Sequence, residues 1–348
     1  MEVRLAPGSA IPVRLRYGYV PKNFGLSLSM IPRSSYSSSI SVHTNLSEPK
    51  SEKHIFILGL GFVGQFLGQE LKTQGWAVSG TCTSHLKKKK LEEMGFDVYL
   101  FDAKEPELRT LDILKHHAHL LVCIPPVMGI GDPMIQHKEI LRSSLINGNI
   151  QWLCYLSSTS VYGDCDGAWV DEDYPTNPTS ELGTMRLAAE EGWSKLALNI
   201  GLSAQVFRLG GIYGPGRSAI DTIIKQELLS ERQKMRASRK YTSRVHVKDI
   251  CQALKASFDT PSLRKVYNIV DDDPAPREEV FEYARKLVEE KWPGLIKQSH
   301  EQTIESLERG EKRVSNSRMK EELGVELLYP NYKSGLQSII NQMESPVI

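Results

Sequence analysis

The sequence predicts an α/β protein: a doubly wound parallel sheet with a smaller domain completed by the C-terminal part of the chain. Three observations predict it. Short apolar runs stand at His54–Leu58, Phe96–Phe101, His119–Ile124, Gln151–Leu156 and Ser203–Leu209. Segments with helical periodicity lie between them, and apolar strands alternating with helices form a parallel sheet covered on both faces. The first run leads directly into Gly59, Gly61 and Gly64, spaced G-x-G-x-x-G.

Ser51–Gly80 is the unit around which the rest is arranged. His54–Leu58 reads as a strand, Phe62–Thr73 as a helix and Trp76–Gly80 as a second strand. In such a unit the first glycine permits the tight turn and the second lets backbone approach a pyrophosphate at the helix N-terminus. The third permits close packing of helix on strand. The strand–turn–helix–strand context that this motif requires is present. It points to a Rossmann-type dinucleotide site; a glycine-rich turn that binds nothing is the other reading.

The following elements continue the alternation. A helix is predicted over Ser84–Met94, a strand over Phe96–Phe101 ended by Asp102, and a helix over Pro106–His116. The strand His119–Ile124 is closed by Pro125 and Pro126, and a helix covers 134–147. The strand Gln151–Leu156 leads into Ser157–Gly163, and the acidic, proline-containing stretch 164–180 reads as a loop. A long helix over Glu181–Leu198 and the strand Ser203–Leu209 follow. Beyond these, Gly210–Gly216 reads as a loop, Ala219–Glu231 as a helix and Ser243–Val247 as a strand. A helix over Asp249–Phe258, a strand over Val266–Ile269 and helices over Glu278–Glu290 and Arg318–Leu323 complete the pattern. The expected division is a leader or tail over 1–50 and a dinucleotide domain over 51–215, to which elements around 240–272 return. Residues 216–348 form mainly the smaller, substrate-side domain.

Composition narrows the function classes. With 348 residues, 40% hydrophobic, 24% charged and a net charge of +1, the chain gives no reason to expect a nucleic-acid partner. No apolar run reaches the length of a membrane span. Residues 1–50 hold Arg4, Arg14, Arg16, Lys22, Arg33 and Lys50 against Glu2 and Glu48, with a serine-rich stretch over Ser34–Ser41. That bias reads as an organellar transit peptide, leaning to the chloroplast stroma over the mitochondrion; a tail on a cytoplasmic protein is the alternative. None of the five cysteines forms a C-x-x-C pair, and His116, His117 and His119 lack partners at metal-ligand spacing.

The cofactor reading turns on the end of the second strand. An NAD site usually places Asp or Glu there to hold the ribose hydroxyls. This chain has Thr81, Cys82, Thr83 and Ser84, then Lys87 and Lys88. Hydroxyls and lysines without a carboxylate suit a 2′-phosphate, so NADP(H) is expected over NAD(H). Asp102 is expected to meet the adenine amino group.

Four further motifs are LSSTSVYG (Leu156–Gly163), FRLGGIYGPGR (Phe207–Arg217), RVHVKDICQA (Arg244–Ala253) and VYNIVDDDP (Val266–Pro274). With these the chain resembles the extended and atypical short-chain dehydrogenase/reductases, the epimerase/dehydratase-like branch, and a plant plastid type within it. The resemblance implies that Gly59, Leu60, Gly61, Phe62, Val63 and Gly64 form the phosphate loop. It implies that Cys123, Ile124 and Pro125 pass the adenosine and nicotinamide side, and that Arg208, Leu209 and Gly210 contact the nicotinamide end. Arg217 matches a loop arginine near a substrate phosphate, Arg244 and His246 the entrance of the second domain, and Asp249 a helix cap.

The family's chemistry uses a Ser/Thr with a Tyr-x-x-x-Lys pair, whose members share a helix face. Ser158 matches the serine, flanked by Thr159 and Ser160. The tyrosine position falls on Leu182 and the lysine position on Arg186. Leucine transfers no proton, and arginine holds a ribose or phosphate without acting as a base. The remaining candidates for proton transfer are Tyr162, Tyr174, Glu181 and Tyr213, and the distant Tyr329–Lys333 pair is set aside because Pro330 interrupts it. The expectation is an atypical oxidoreductase or epimerase acting on a small polar metabolite, with Ser158 and Arg186 in the site. The alternative is a non-catalytic dinucleotide-binding protein that acts through a protein partner. Oligomeric state stays open.

Overall fold

A computed structural model describes residues 53–103, 108–225, 241–260, 266–296 and 312–346. The expected leader over 1–50 lies outside the described residues, as does the end of the helix expected to reach Glu231. In chain order the elements are β1 His54–Leu58, α1 Phe62–Thr73, β2 Ala77–Cys82, α2 His85–Glu93, β3 Asp97–Leu100 and β4 His119–Val122. Then come α3 Lys138–Ile146, β5 Trp152–Ser158, β6 Trp169–Val170, α4 Glu181–Asn199, β7 Ala204–Leu209 and β8 Gly211–Tyr213. Last are α5 Ala219–Lys225, β9 Arg244–His246, α6 Val247–Ala256, β10 Val266–Ile269, α7 Arg277–Lys291, β11 Arg313–Val314, α8 Ser317–Leu323 and α9 Tyr332–Gln342.

Among the described residues the main sheet has seven strands in the order β10-β7-β5-β4-β1-β2-β3, every pair parallel. This is the expected Rossmann-type sheet. Strand order reverses between β1 and β4, whose register sets Leu58 beside Val122. Ligands of such sheets bind outside the carboxyl ends of the strands at that reversal.

Each face of the sheet buries its own core. Leu67 and Leu71 of α1 pack with Val247, Ile250 and Leu254 of α6 on one side. Leu141 and Leu145 of α3 pack with Trp193 and Leu196 of α4 on the other. A third core joins α5, α7 and α9 through Ile220, Ile224, Val280, Leu287, Leu336 and Ile340, and forms the smaller C-terminal subdomain. No helix of the described residues is long and apolar enough to cross a membrane.

Several local expectations change. β2 extends to Cys82, because Thr81 and Cys82 continue the ladder against Tyr99 and Leu100. Leu108–His116 is 3₁₀ in place of α-helix, and the helix expected over 134–147 divides into a 3₁₀ turn, Ile135–His137, and α3. The expected loops 164–180 and Gly210–Gly216 hold β6 and β8, each paired with a strand distant in sequence. The helix α9 escaped the sequence reading. Its signals are the buried Tyr332, Leu336, Ile339 and Ile340 at helical spacing, and Asn331, whose side chain accepts from Ser334 N.

Candidate functional site

The glycine loop has the geometry of a phosphate cradle. Gly59 has φ +92°, a region that favours glycine, and a Cβ there would stand 3.1 Å from Ile124 Cγ1. At Gly64 a Cβ would meet Ile57 Cγ2 at 3.0 Å and Gly59 O at 3.1 Å, so α1 packs close against β1. At Gly61, the N-cap of α1, the nearest atom is 3.9 Å away, which leaves space for a ligand atom to approach. The first turn of α1 carries no acidic residue, and its leading N–H groups lack intrahelical acceptors. Leu60 and Val63 turn their side chains into the core, so the loop presents backbone and no bulky side chain on its outer side. Across the strand-order reversal, Cys123 N donates to Leu58 O at 2.9 Å, and Ile124 and Pro125 follow it.

The end of β2 holds this loop. Gly59 N donates to Thr81 Oγ1 at 2.8 Å, and Leu60 N donates to Thr81 O at 2.8 Å. Ser84 Oγ caps α2 by accepting from Lys87 N at 3.3 Å. Lys88 Nζ donates to Val98 O at 2.5 Å and pairs with Glu92 at 3.3 Å. Thr83 and Asp102 are exposed. Of the groups expected to receive a 2′-phosphate, Thr81 is buried and Lys88 turns its ammonium to Val98 O and Glu92.

A cavity of about 550 Å³ lies at the carboxyl ends of β5 and β7. Ser158, Arg186, Leu209 and Gly210 all line it, so the structure brings these four expected residues together. Ser158 ends β5, and its Oγ accepts from Ser160 N at 3.2 Å. Arg186 reaches back from α4, with Nη1 donating to Leu156 O at 3.4 Å. Leu182 is half-buried and is not among the cavity-lining residues.

Arg208 does not point into this cavity. Its guanidinium is buried against Glu190, with Nη2 2.8 Å from Oε2 and Nε 3.2 Å from both carboxylate oxygens, and Nη1 donates to Tyr162 Oη at 2.9 Å. Tyr162 donates in turn to Asn268 Oδ1 at 2.8 Å, and Ser157 Oγ donates to Glu190 Oε1 at 2.5 Å. Burial pushes the Tyr162 hydroxyl up to about 12. This network is the floor beneath Ser158; Glu190, its hub, escaped the sequence reading because no local pattern marks a glutamate on the inner face of α4.

The other proton-transfer candidates separate. Tyr174 and Glu181 are exposed and do not line the cavity. Tyr213 lines it, but its hydroxyl donates to Asn331 O at 3.4 Å, and burial pushes its pKa above the ordinary tyrosine value. Tyr329 lies outside α9, with its hydroxyl 3.1 Å from Ser338 Oγ. Arg244 lines the cavity and donates through Nη1 to Thr242 O and Ala275 O, each at 2.8 Å. His246 is not at the entrance: it is buried, and its Nδ1 accepts from Lys248 N at 3.2 Å as the cap of α6. Asp249 caps no helix of its own; its carboxylate accepts from Leu328 N at 2.6 Å and Tyr329 N at 3.3 Å. Arg277 and Lys312, both unmarked in the sequence, also line the cavity, and Lys312 Nζ donates to Gly163 O at 2.6 Å.

Comparison with known proteins extends this picture. Residues 135–270 match the NAD dependent epimerase/dehydratase family. Protein YeeZ of Escherichia coli K12 is 30% identical over 286 residues, which cover 80% of this chain and 97% of YeeZ. A conserved protein of unknown function from Silicibacter pomeroyi is 34% identical, with a TM-score of 0.68 over 84% of this chain and 99% of its own. UDP-glucuronic acid 4-epimerase from Bacillus cereus, solved in complex with NAD, is 20% identical, with a TM-score of 0.64 over 83% of this chain and 99% of its own. These comparisons correct the expectation of NADP(H): UDP-glucuronic acid 4-epimerase from Bacillus cereus and dTDP-glucose 4,6-dehydratase from Bacillus anthracis, both similar in fold, were solved holding NAD. The geometry agrees for one expected charge: the Lys88 ammonium donates to Val98 O and pairs with Glu92.

Proposed function

We propose that this chain, which belongs to the NAD-dependent epimerase/dehydratase family, is an NAD(H)-dependent enzyme of epimerase/dehydratase type that acts on a small polar metabolite without a Tyr-x-x-x-Lys pair. One observation carries the reading: Ser158 and Arg186 line one cavity at the carboxyl end of β5, on the ligand-binding edge of the sheet. The dinucleotide fits the glycine loop, where Gly59, Gly61 and Gly64 leave the required turn, space and packing. When bound, NAD supplies a hydride acceptor.

The chain's own residues do the rest. Ser158 Oγ hydrogen-bonds the reacting oxygen of the metabolite and orients it. Arg186 sets a permanent positive charge beside that oxygen and stabilises negative charge developing on it. It takes no proton, so the proton leaves through water or a group on the metabolite.

A second reading, a non-catalytic NAD(H)-binding protein acting through a protein partner, is favoured by Leu182 at the tyrosine position. Incubating the protein and NAD with a panel of sugar phosphates and nucleotide-linked sugars in deuterated water, followed by NMR, separates the two. Turnover in the wild type that Ser158→Ala abolishes supports the enzyme. NAD binding without turnover of any compound supports the second reading. The plastid location is proposed on residues 1–50 alone, and a fluorescent fusion of those residues tests it: a cytosolic or mitochondrial signal contradicts it.

A further inference from the structure

Arg217 lays its guanidinium over an aromatic ring at the N-terminus of α1. It is exposed, and its guanidinium carbon lies 5.4 Å from the centroid of the Phe62 ring. Phe62 is the first residue of α1. The positive end of a helix disfavours a neighbouring cation unless an anion stands close to both. Among the described residues no carboxylate pairs with Arg217, and α1 has no acid in its first turn.

The arrangement is held in place from both sides. A Cβ at Gly214 would come within 3.3 Å of the Phe62 ring and 2.6 Å of Val247, so only glycine lets this loop lie against the ring. Phe66 meets Phe62 edge-on, with ring centroids 5.0 Å apart. Gly214 N donates to Arg217 O, and Arg217 N to Gly214 O, each at 3.0 Å, which fixes the backbone that carries the arginine. At the same end of α1, the space beside Gly61 is open.

We infer that Arg217 is a second anchor for the diphosphate of the bound dinucleotide, reaching it from the loop between β8 and α5 across the face of Phe62. The inference rests on the NAD(H) reading above. The glycine loop presents backbone N–H groups to the diphosphate, and Arg217 adds a fork of charged donors from the opposite side. Arg217 also lines the cavity that holds Ser158 and Arg186. Dinucleotide binding therefore fixes one wall of the metabolite cavity, and the two sites fill as a coupled pair.

Calorimetric titration of the full chain with NADH and with ADP, at low and high salt, tests this. ADP keeps the diphosphate and lacks the nicotinamide half. Arg217→Gln is expected to weaken both ligands by about tenfold, the scale of one charge-assisted hydrogen bond, and to flatten the salt dependence. Arg217→Lys, which keeps the charge and loses the planar fork, is expected to fall between Gln and the wild type. Unfolding midpoints measured alongside are expected to stay unchanged, because the side chain is exposed. Wild-type binding that Arg217→Gln leaves within twofold overturns this inference alone. Wild-type protein that takes neither NADH nor ADP overturns the cofactor reading and this one with it.

Discussion

Arg208 and Glu190 form a buried ion pair one residue behind the site, with Nη2 2.8 Å from Oε2 and both side chains 7% exposed. Glu190 also accepts from Ser157, the neighbour of Ser158, so the pair ties β5, β7 and α4 together under the cavity. Removing one member strands the other charge, and that loss typically costs about 3–5 kcal/mol. Glu190→Gln should lower stability on that scale in urea unfolding. Replacing Glu190 and Arg208 together by methionine should cost less than either single change, because no buried charge then remains unpaired.

The glycine loop separates stability from binding. Gly59→Ala forces a side chain into φ +92° and against Ile124, at a cost of about 1–3 kcal/mol. Gly61→Ala places a methyl group in open space at an ordinary φ of −81°. Its unfolding midpoint should match the wild type, while NADH affinity falls at least about tenfold because the methyl occupies the approach to the helix N-terminus. Fluorescence titration beside thermal unfolding of both variants checks this.

Two neighbouring groups at the start of α6 titrate in opposite senses. Burial pushes the Asp249 carboxyl up to about 6, above its unfolded value of about 3.9. Its stabilising contribution is complete below the unfolded value and is lost as pH rises through about 6. Burial, with Lys248 adding to it, pushes His246 down to about 4, below its unfolded value of about 6.5. Its contribution is present above the unfolded value and is lost as pH falls through about 4. The stability of Asp249→Asn relative to the wild type should therefore improve between pH ~4 and ~7, by up to about 3 kcal/mol at ~1.4 kcal/mol per pKa unit. His246→Asn should improve relative to the wild type in the other direction, as pH falls from ~6.5 to ~4. Urea unfolding of each variant beside the wild type across this range isolates each group, since the remaining titrations cancel in the difference.

Much of this was legible in the sequence, for physical reasons that can be traced. Strand and helix alternation exposed the main sheet, since each apolar run is short, continuous and bounded by turn residues. Gly59, Gly61 and Gly64 were legible because their spacing is dictated by a turn, an approach and a packing contact within one stretch of chain. That Ser158 and Arg186 come together on one cavity wall was legible from their positions in a motif. The β6–β11 pair was not, since Trp169 and Val170 find Arg313 and Val314 only through the folded chain. The role of Thr81 was misread for the same reason: an unpaired hydroxyl in the sequence is, in the fold, the acceptor for Gly59 N. Lys88 suggested a phosphate partner and instead holds the backbone of β3. Glu190 carries no sequence signal, because a glutamate in an amphipathic helix reads as solvent-facing until its arginine is known.

Leu182 and Arg186 allow a test of how the scaffold relates to its chemistry. Leu182 sits one turn before Arg186 on α4, where a tyrosine and a lysine would share a face. The double variant Leu182→Tyr with Arg186→Lys should fold, because Leu182 is only half-buried. On the account above the wild type already turns over its metabolite, and the double variant changes the pH dependence of the rate by adding a titrating hydroxyl. Turnover confined to the double variant would mean that the parent has lost its chemistry.

A crystal structure of the full chain with NAD tests the central claim most directly, through the side chains within about 3–4 Å of nicotinamide C4, where a reacting partner must stand. The account predicts that C4 faces the cavity with Ser158 Oγ turned toward it, Arg186 alongside and room left for a small polar metabolite. Leu182 and other apolar side chains filling that space, with Ser158 turned away, would contradict it.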